Sequence, residues 1–512
     1  MDGLEELKKK LVPLFDSEKG LQSDSSVLDP SDPYTLSDGE VNLLSKSYNI
    51  YNINELGLQK CSSSSSSSNS PDEKTFRCAS HEMRLFRSIG IGASSVVQMA
   101  IHIPNHTVIA LKKINIFEKE KRQQLLSEIR TLCEAPHSEG LVQFYGAFYN
   151  PESGQINIAL EYMDGGSLLD VIRICKTIPE QILSNMVKKL LVGLKYLHGV
   201  RHLVHRDIKP ANLLVNLKGE AKITDFGLSA GLENSVAMCA TFVGTVTYMS
   251  PERIRNESYS YPADVWSLGL AIFECATGEF PYSANEGPVN LMLQILDDPS
   301  PSLSKQKFSP ELCSFVDMCL EKDPLLRPTA DQLISHPFIR RYEDPGVDLC
   351  AFVQGIFDPV ERTKELVDML TVHYYSLFDG PDNLWHHAKN LYQQDSTFRF
   401  CSNEWEGSAD IFSQLSSIRR TLAGNRAGEK LVHMVEKLHC RSDGHSGFSI
   451  RASGSFLVGR QFPIRGGDEN NSRDEDECCV KLGRFQEQFV VRRGSSMLGQ
   501  YFIADQELYI SH

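Results

Sequence analysis

No run of apolar residues in this 512-residue chain is long enough to span a bilayer; the most apolar stretch, Val265 to Ala276, is short and interrupted. No membrane partner is expected on that ground. Positive charge is in deficit as well: 52 Lys and Arg stand against 66 Asp and Glu, a formal net charge of −14. Nucleic-acid binding needs concentrated basic surface to displace counterions from phosphates, so no nucleic-acid partner is expected either. The thirteen cysteines show no repeating spacing and no short secreted framework, which reads as reduced thiols rather than a disulfide scaffold. Met1 to Lys10 carry Asp2, Glu5 and Glu6 in place of a basic stretch followed by an apolar core, so no secretory signal is expected.

What is present is too long for one core, and two or three domains are expected. Residues 1–82 read as a flexible leader, dominated between Asp16 and Asp72 by Ser, Asp, Asn and Glu with the homopolymer Ser62 to Ser68. From Met83 the pattern changes to β-branched runs, Val96 to Ala100 and Val108 to Ile114, then a charged helical stretch from Glu118 to Cys133. After Gly165 and Gly166 the segments lengthen and become helical, over Pro179 to His198, Ala263 to Thr277 and Pro310 to Leu320. A β-rich lobe followed by an α-rich lobe is expected over 83–339. The pattern weakens around Pro345 and Gly346, giving a linker at 340–359, and a new amphipathic helix begins near Pro359. Val367, Leu370, Tyr374, Leu377 and Phe378 share one face of it. Period-two alternation in Phe448 to Val458, Gln488 to Val491 and Tyr501 to Ile510 predicts a curved antiparallel sheet on that helix, so 360–512 forms a second α+β domain.

The chemistry-bearing residues come in a fixed order. Gly90-Ile91-Gly92-Ala93-Ser94-Ser95-Val96-Val97 is a strand, turn and strand in which glycines let backbone amides approach nucleotide phosphates. Ser95 stands where a third glycine would complete that motif. Ile109-Ala110-Leu111-Lys112 ends a hydrophobic strand in an ammonium suited to the α- and β-phosphates. Sixteen residues on, Glu128 lies on a helical stretch as a partner for Lys112. His205-Arg206-Asp207-Ile208-Lys209-Pro210-Ala211-Asn212 follows, and thirteen residues after Asn212 comes Asp225-Phe226-Gly227.

In this ordered set the chain resembles the eukaryotic protein kinases, and the resemblance implies their bilobal fold with ATP and Mg2+ as cofactors. It implies that Asp207 accepts the proton of the substrate hydroxyl, that Lys209 steadies the transferred phosphate, and that Asn212 and Asp225 hold the metal. Glu161-Tyr162-Met163 resembles the hinge between the lobes. There the backbone of Glu161 and Met163 would bind adenine, with Ala110 and Leu160 in the pocket; a plain interlobe turn explains the tripeptide as well. Ser250-Pro251-Glu252 stands where the family has Ala-Pro-Glu, and Arg327 is the expected ion-pair partner of Glu252. Asp264 would begin the core helix below the catalytic loop.

Val243-Gly244-Thr245-Val246-Thr247-Tyr248-Met249-Ser250-Pro251-Glu252-Arg253-Ile254 resembles the mitogen-activated protein kinase kinases specifically. The resemblance implies a dual-specificity enzyme acting on the Thr-x-Tyr activation loop of a MAP kinase substrate, and an upstream MAP kinase kinase kinase as its activator. Ser235 and Thr241, with five residues between them, resemble the phosphosites of the plant branch. A phosphate there would pair with Arg206. Lys8-Lys9-Lys10 before Leu11-Val12-Pro13-Leu14-Phe15 resembles the docking peptide of these enzymes, at 8–15, although a short amphipathic helix accounts for it as well. A cytoplasmic enzyme, present also in the nucleus, is the expectation.

His373-Tyr374-Tyr375-Ser376-Leu377-Phe378, with Trp405-Glu406-Gly407 to Leu415, resembles the nuclear transport factor 2-like cone. That fold binds proteins, binds small molecules or hosts catalysis, so it does not set a role, and a protein partner of unknown identity is expected. His386, His387 and Asp410 are acid or base candidates there. Cys478-Cys479 lacks metal-site spacing. The competing class is a signalling scaffold, in which the kinase core transfers nothing and the tail does the work.

Overall fold

The computed structural model describes residues 34–37, 40–44, 50–61, 78–92, 95–115, 129, 138–225, 246–257, 260–283, 287–343, 346–357, 359–423, 430–442, 447–459, 481–494 and 500–511. By packing, the chain divides into two compact units. One is Met1–Cys78 with Lys112–Phe357; the other is Ala79–Leu111 with Asp358–His512.

The stretch expected as a flexible leader holds an antiparallel meander, which corrects that expectation. Its strands are β1 (Tyr34–Ser37), β2 (Glu40–Leu44), β3 (Ile50–Asn54) and β4 (Gly57–Cys61), hydrogen-bonded in sequence order. Ile53 and Leu58 face each other in register and are fully buried. Asn54 Oδ1 accepts the Leu56 N–H at 2.9 Å, and Gly57 turns the chain at φ +125°, a backbone that favours glycine. The polar average over the leader hid these short apolar runs. The docking peptide expected at 8–15 lies outside the described residues.

The strands β5 (Met83–Ile91), β6 (Ser95–His102) and β7 (Thr107–Asn115) follow, and β7 carries the chain from the second unit into the first. In the first unit β8 (Phe144–Asn150) pairs antiparallel with β9 (Gln155–Glu161), and β3 and β4 lie against β8. The rest of this unit is mainly helical: α1 (Leu168–Cys175), α2 (Glu180–Lys195), a short hairpin β10 (Leu213–Val215) and β11 (Ala221–Ile223), then α3 (Pro251–Ile254), α4 (Pro262–Thr277), α5 (Pro288–Asp297), α6 (Pro310–Cys319), α7 (Ala330–Ile334) and α8 (Pro337–Arg341). Caps set the starts: Ser167 and Asp170 form a capping box on α1, and Ser309 Oγ accepts the Leu312 N–H at α6. Helix α4 is buried on nearly every side. A Cβ on its Gly269 would lie 2.7 Å from Cys319 Cβ, so only glycine lets α4 and the end of α6 approach this closely.

The expected linker at 340–359 also contains structure, because apolar residues recur at helical spacing there. Helix α9 (Leu349–Ile356) is capped by Asp348, whose side chain accepts the Ala351 N–H at 2.8 Å. It buries Leu349 and Val353 against α1 and α2.

The C-terminal part of the second unit opens with α10 (Pro359–Phe378) and α11 (Asp382–Trp385), then β12 (Tyr392–Phe400), β13 (Asn403–Glu406), α12 (Ser408–Ala423), β14 (Lys430–Ser442), β15 (Gly447–Gly459), β16 (Lys481–Arg493) and β17 (Tyr501–Ser511). The six strands are ordered β13-β12-β17-β16-β15-β14, and only β12 with β17 is parallel. All five apolar residues of the anticipated α10 face are buried. The three stretches of period-two alternation lie within β15, β16 and β17. Phe456 sits opposite Gly483, where any Cβ would collide with its ring.

Candidate active site

The catalytic loop is held by one buried carboxylate. Asp264, in the first turn of α4 and fully buried, accepts the His205 N–H at 2.7 Å, the Arg206 N–H at 2.8 Å and the His198 Nε2–H at 2.9 Å. Burial works against its ionisation, but these donors and the two histidines outweigh it and hold the carboxyl below its usual value. Arg206 takes the left-handed region at φ +73°, and Arg253 Nη1 donates to its carbonyl at 2.7 Å. His205 Nε2–H donates to the Thr224 carbonyl at 2.9 Å, which leaves Nδ1 to accept the Asp207 N–H at 3.3 Å.

These fixed backbones bring Asp207, Lys209 and Asn212 together. Lys209 Nζ donates to both carboxylate oxygens of Asp207, at 3.0 and 2.7 Å, and Asn212 Nδ2 donates to Asp207 Oδ2 and to its carbonyl at 2.8 Å. The hairpin of β10 and β11 then sets Asn212 beside the next segment, for the Thr224 N–H donates to the Asn212 carbonyl at 3.0 Å. Asp225 follows at φ +65°, and Lys112 Nζ on β7 donates to its Oδ1 at 2.9 Å. Burial alone would push the Asp225 carboxyl up, yet the Lys112 ammonium holds it below the usual value.

With Asn212 Nδ2 engaged by Asp207 and Asp225 Oδ1 by Lys112, one amide oxygen and one carboxylate oxygen remain on neighbouring residues. Such hard oxygen donors fit Mg2+, which takes one or two protein ligands and completes its shell with phosphate and water. Among the described residues no group of three or more His, Cys, Asp or Glu is placed to hold a metal.

Leu160 and Glu161 end β9, and both are buried with Met163. The Glu161 N–H donates to the Gln143 carbonyl at 2.8 Å, while its carboxylate takes Lys222 Nζ at 2.8 and 2.9 Å and the Gln143 N–H at 3.1 Å. The Gly166 N–H donates to the Met163 carbonyl at 3.1 Å, closing the turn after the hinge. Arg327 pairs with Glu252 through two bonds of 2.6 and 2.7 Å in a buried site, as the sequence led us to expect.

In the second unit, Gly90 and Ile91 pair with Val97 and Val96 across the β5 and β6 hairpin, and the Gly92 N–H donates to the Ser95 carbonyl at 2.8 Å. A Cβ at Gly90 would meet Val97 Cβ at an ordinary 3.6 Å, and neither Gly90 nor Gly92 has a positive φ. Packing within the hairpin therefore does not require glycine at 90. Ala110 is buried on β7. Ala93, Ser94, Glu128, Ser235, Thr241 and Thr245 lie outside the described residues. Of the acid and base candidates in the tail, the His386 and His387 rings lie 3.8 Å apart with their planes tilted by 40°, and Asp410 lies in the first turn of α12. Among the described residues no hydrogen bond joins Asp410 to either histidine.

Residues 83–339 match the protein kinase domain family model. Over 520 aligned residues, covering 100% of both chains, the sequence is 68% identical to "Mitogen-activated protein kinase kinase 3" of Arabidopsis thaliana. The chain belongs to the mitogen-activated protein kinase kinases. It is 44% identical over 285 residues to the kinase kinase SIPKK of Nicotiana tabacum, covering 54% of this chain and 79% of that one. It is also 41% identical over 297 residues to mitogen-activated protein kinase kinase 2 of Arabidopsis thaliana, covering 57% and 81%. As a member it is an ATP-dependent kinase with a sheet-rich and a helical lobe. Sequence reasoning missed Lys222 as the buried partner of Glu161 and His198 as a partner of Asp264. A lysine inside the apolar strand Ala221–Ile223 is the one local signal for the first; the second has none.

Proposed function

We propose that this kinase kinase transfers the γ-phosphate of ATP to both the threonine and the tyrosine of a Thr-x-Tyr activation loop in a MAP kinase. The observation that carries the reading is the convergence of Lys209 and Asn212 on the Asp207 carboxylate, two residues from the buried clasp of Asp264 on His205 and Arg206. Asp207 orients the substrate hydroxyl and takes its proton as the oxygen bonds to the γ-phosphorus and the bond to the ADP oxygen breaks. Lys209, already against Asp207, offsets charge on the transferred phosphoryl group. Lys112 holds the α- and β-phosphates, and Gly90 through Val97 cover them. The Glu161 N–H is taken by Gln143, so its carbonyl and the Met163 backbone hold adenine beside Leu160 and Ala110. Asn212 and Asp225 supply the oxygens for Mg2+, which when bound neutralises the phosphates.

Ser235 and Thr241 are proposed as the sites an upstream kinase phosphorylates, with Arg206 as the reader of the added charge. The C-terminal region is proposed as a nuclear transport factor 2-like cone, supported by α10 and α12 packed on a bent sheet of six strands. A protein is its proposed ligand.

The test is incubation of the full chain, carrying acidic substitutions at Ser235 and Thr241, with labelled ATP and a kinase-inactive MAP kinase. Label on both the threonine and the tyrosine is expected. Absence of transfer would favour a scaffold.

A further inference from the structure

Within the second unit, the turn from β6 to β7 is built around His106. Its side chain is fully buried and its backbone is left-handed at φ +55°, which residues other than glycine rarely adopt. Both of its ring nitrogens bond to the C-terminal region.

Hydrogen-bond chemistry fixes every proton of this contact. The His387 carbonyl can only accept, so His106 Nε2, 2.8 Å away, carries hydrogen. A neutral His106 then accepts at Nδ1, and His373 Nε2 on α10, at 2.8 Å, must donate to it. That leaves His373 Nδ1 as an acceptor facing Arg84 Nη1 on β5 at 3.4 Å, and the same guanidinium donates to the His373 carbonyl at 2.9 Å. The chain Arg84, His373, His106, His387 is complete only while both imidazoles are neutral. Around it, Asn390 Nδ2 donates to the Pro104 carbonyl at 2.8 Å, Thr107 bridges Gln500, and Arg87 pairs with Glu365 at the rim.

We propose that β5 and the 103–107 turn form a docking surface for the chain's own C-terminal α+β region, held by a neutral two-histidine relay that braces the hairpin carrying the glycine turn and lets go on acidification. The docking stands on the contacts themselves; only its consequence for ATP rests on the nucleotide role proposed for Gly90 to Val97. The partner is intramolecular, so whatever loads the C-terminal region acts on the hairpin.

The direction with pH follows from the neighbours. Arg84 faces the pair from β5, His102 stands nearby with Glu82, and His387 faces it from the turn after α11 with His386 against its ring; the only carboxylate among these groups, Glu82, sits against His102 and also acts on His387. Burial, reinforced by the Arg84 guanidinium, holds His373 well below the ordinary imidazole value of 6.5; at His106 burial outweighs the His387 carbonyl, which favours the charged ring, and brings it down to about 3. The undocked imidazoles take protons as pH falls through 6.5 and the docked ones do not. Docking is at full strength above that value and weakens below it.

The test is amide hydrogen exchange on the full chain. In His373→Phe, exchange over both 83–107 and 386–390 is expected to quicken together by about tenfold, the scale of one buried polar group left without a partner. The unaltered chain should also show paired quickening between pH 7.5 and 5.5 after correction for intrinsic rates, and His373→Phe, which keeps only His106, should show a smaller one. Loosening of one segment alone, or an undiminished pH response in the variant, overturns the proposal. Should His373→Phe fail to fold, the rim pair decides. Arg87→Glu is expected to quicken both segments about two- to fivefold, and Arg87→Glu with Glu365→Arg to restore them; no restoration overturns it. Protection of the glycine turn by added ATP is scored separately, so its failure sinks the nucleotide reading and leaves the docking result standing.

Discussion

Lys209 Nζ lies 3.0 and 2.7 Å from the two carboxylate oxygens of Asp207, so the carboxylate proposed to take a proton is clasped by an ammonium two residues along the chain. The clasp keeps Asp207 in place without a substrate.

Asp207→Asn is expected to lower kcat by roughly 10² to 10⁴, the usual contribution of a placed general base. The KM for ATP should change little, because among the described residues no hydrogen bond of Asp207 reaches the hinge. Initial rates on a MAP kinase substrate at saturating ATP measure it; lost ATP binding with ordinary turnover would refute the assignment.

Two glycines should separate ligand from fold. A methyl at Gly90 meets only ordinary contacts, whereas one at Gly165 would lie 2.7 Å from the Val215 carbonyl oxygen. Gly90→Ala is therefore expected to leave Tm unchanged and raise the KM for ATP. Gly165→Ala should lower Tm. Thermal melts and ATP titrations of both variants check this, and a lowered Tm in Gly90→Ala would place the need for glycine in the fold.

Asp264→Asn replaces a double acceptor by an amide that can accept at one oxygen only. Folding stability at pH 7 should fall by about 1–3 kcal/mol, the scale of one unsatisfied buried group, and kcat with it as the loop loosens. The native carboxyl titrates below its ordinary 3.8, so its contribution is present above that value and is lost as pH falls through the lower folded value. Urea unfolding between pH 3 and 7 should show this acid loss in the native chain and a flatter profile in Asp264→Asn.

In the C-terminal sheet, Glu487 is fully enclosed and takes hydroxyl hydrogens from Tyr374 and Tyr375 at 3.2 and 2.7 Å. Burial pushes its carboxyl above the ordinary 4.5, and the two tyrosines and Gln506 only partly offset this. A raised acid contributes stability that is whole below the unfolded value and lost as pH rises through the folded one. Glu487→Gln is expected to gain on the native chain from pH 5 to 8. Unfolding midpoints across that range check it; a variant that loses ground with rising pH would contradict the burial argument.

The catalytic set was legible because its parts are local. Asp207, Lys209 and Asn212 fall within one turn of chain, so their spacing reports their convergence directly. The face of α10 and the strands of the tail were legible for the same reason, since periods of 3.6 and 2 belong to single elements. The meander at 34–61 and helix α9 were not, because each is short and its apolar residues bury against β8, α1 and α2, elements far away in sequence. The pairing of Glu161 with Lys222, 61 residues apart, left only a lysine inside an apolar strand as its mark, with nothing to name the partner.

By itself the sequence determined which chemistry this chain carries: the order of the glycine turn, Lys112, Asp207, Asn212 and Asp225 names a kinase, and the residues before Pro251 name its branch. Tertiary structure alone decided that Asp264 clasps the catalytic loop and that Lys112 meets Asp225. It also decided that His106 needs His373, 267 residues away. The physical reason is that a hydrogen bond or a buried charge is specified by two partners at once, and one stretch of sequence records only its own half.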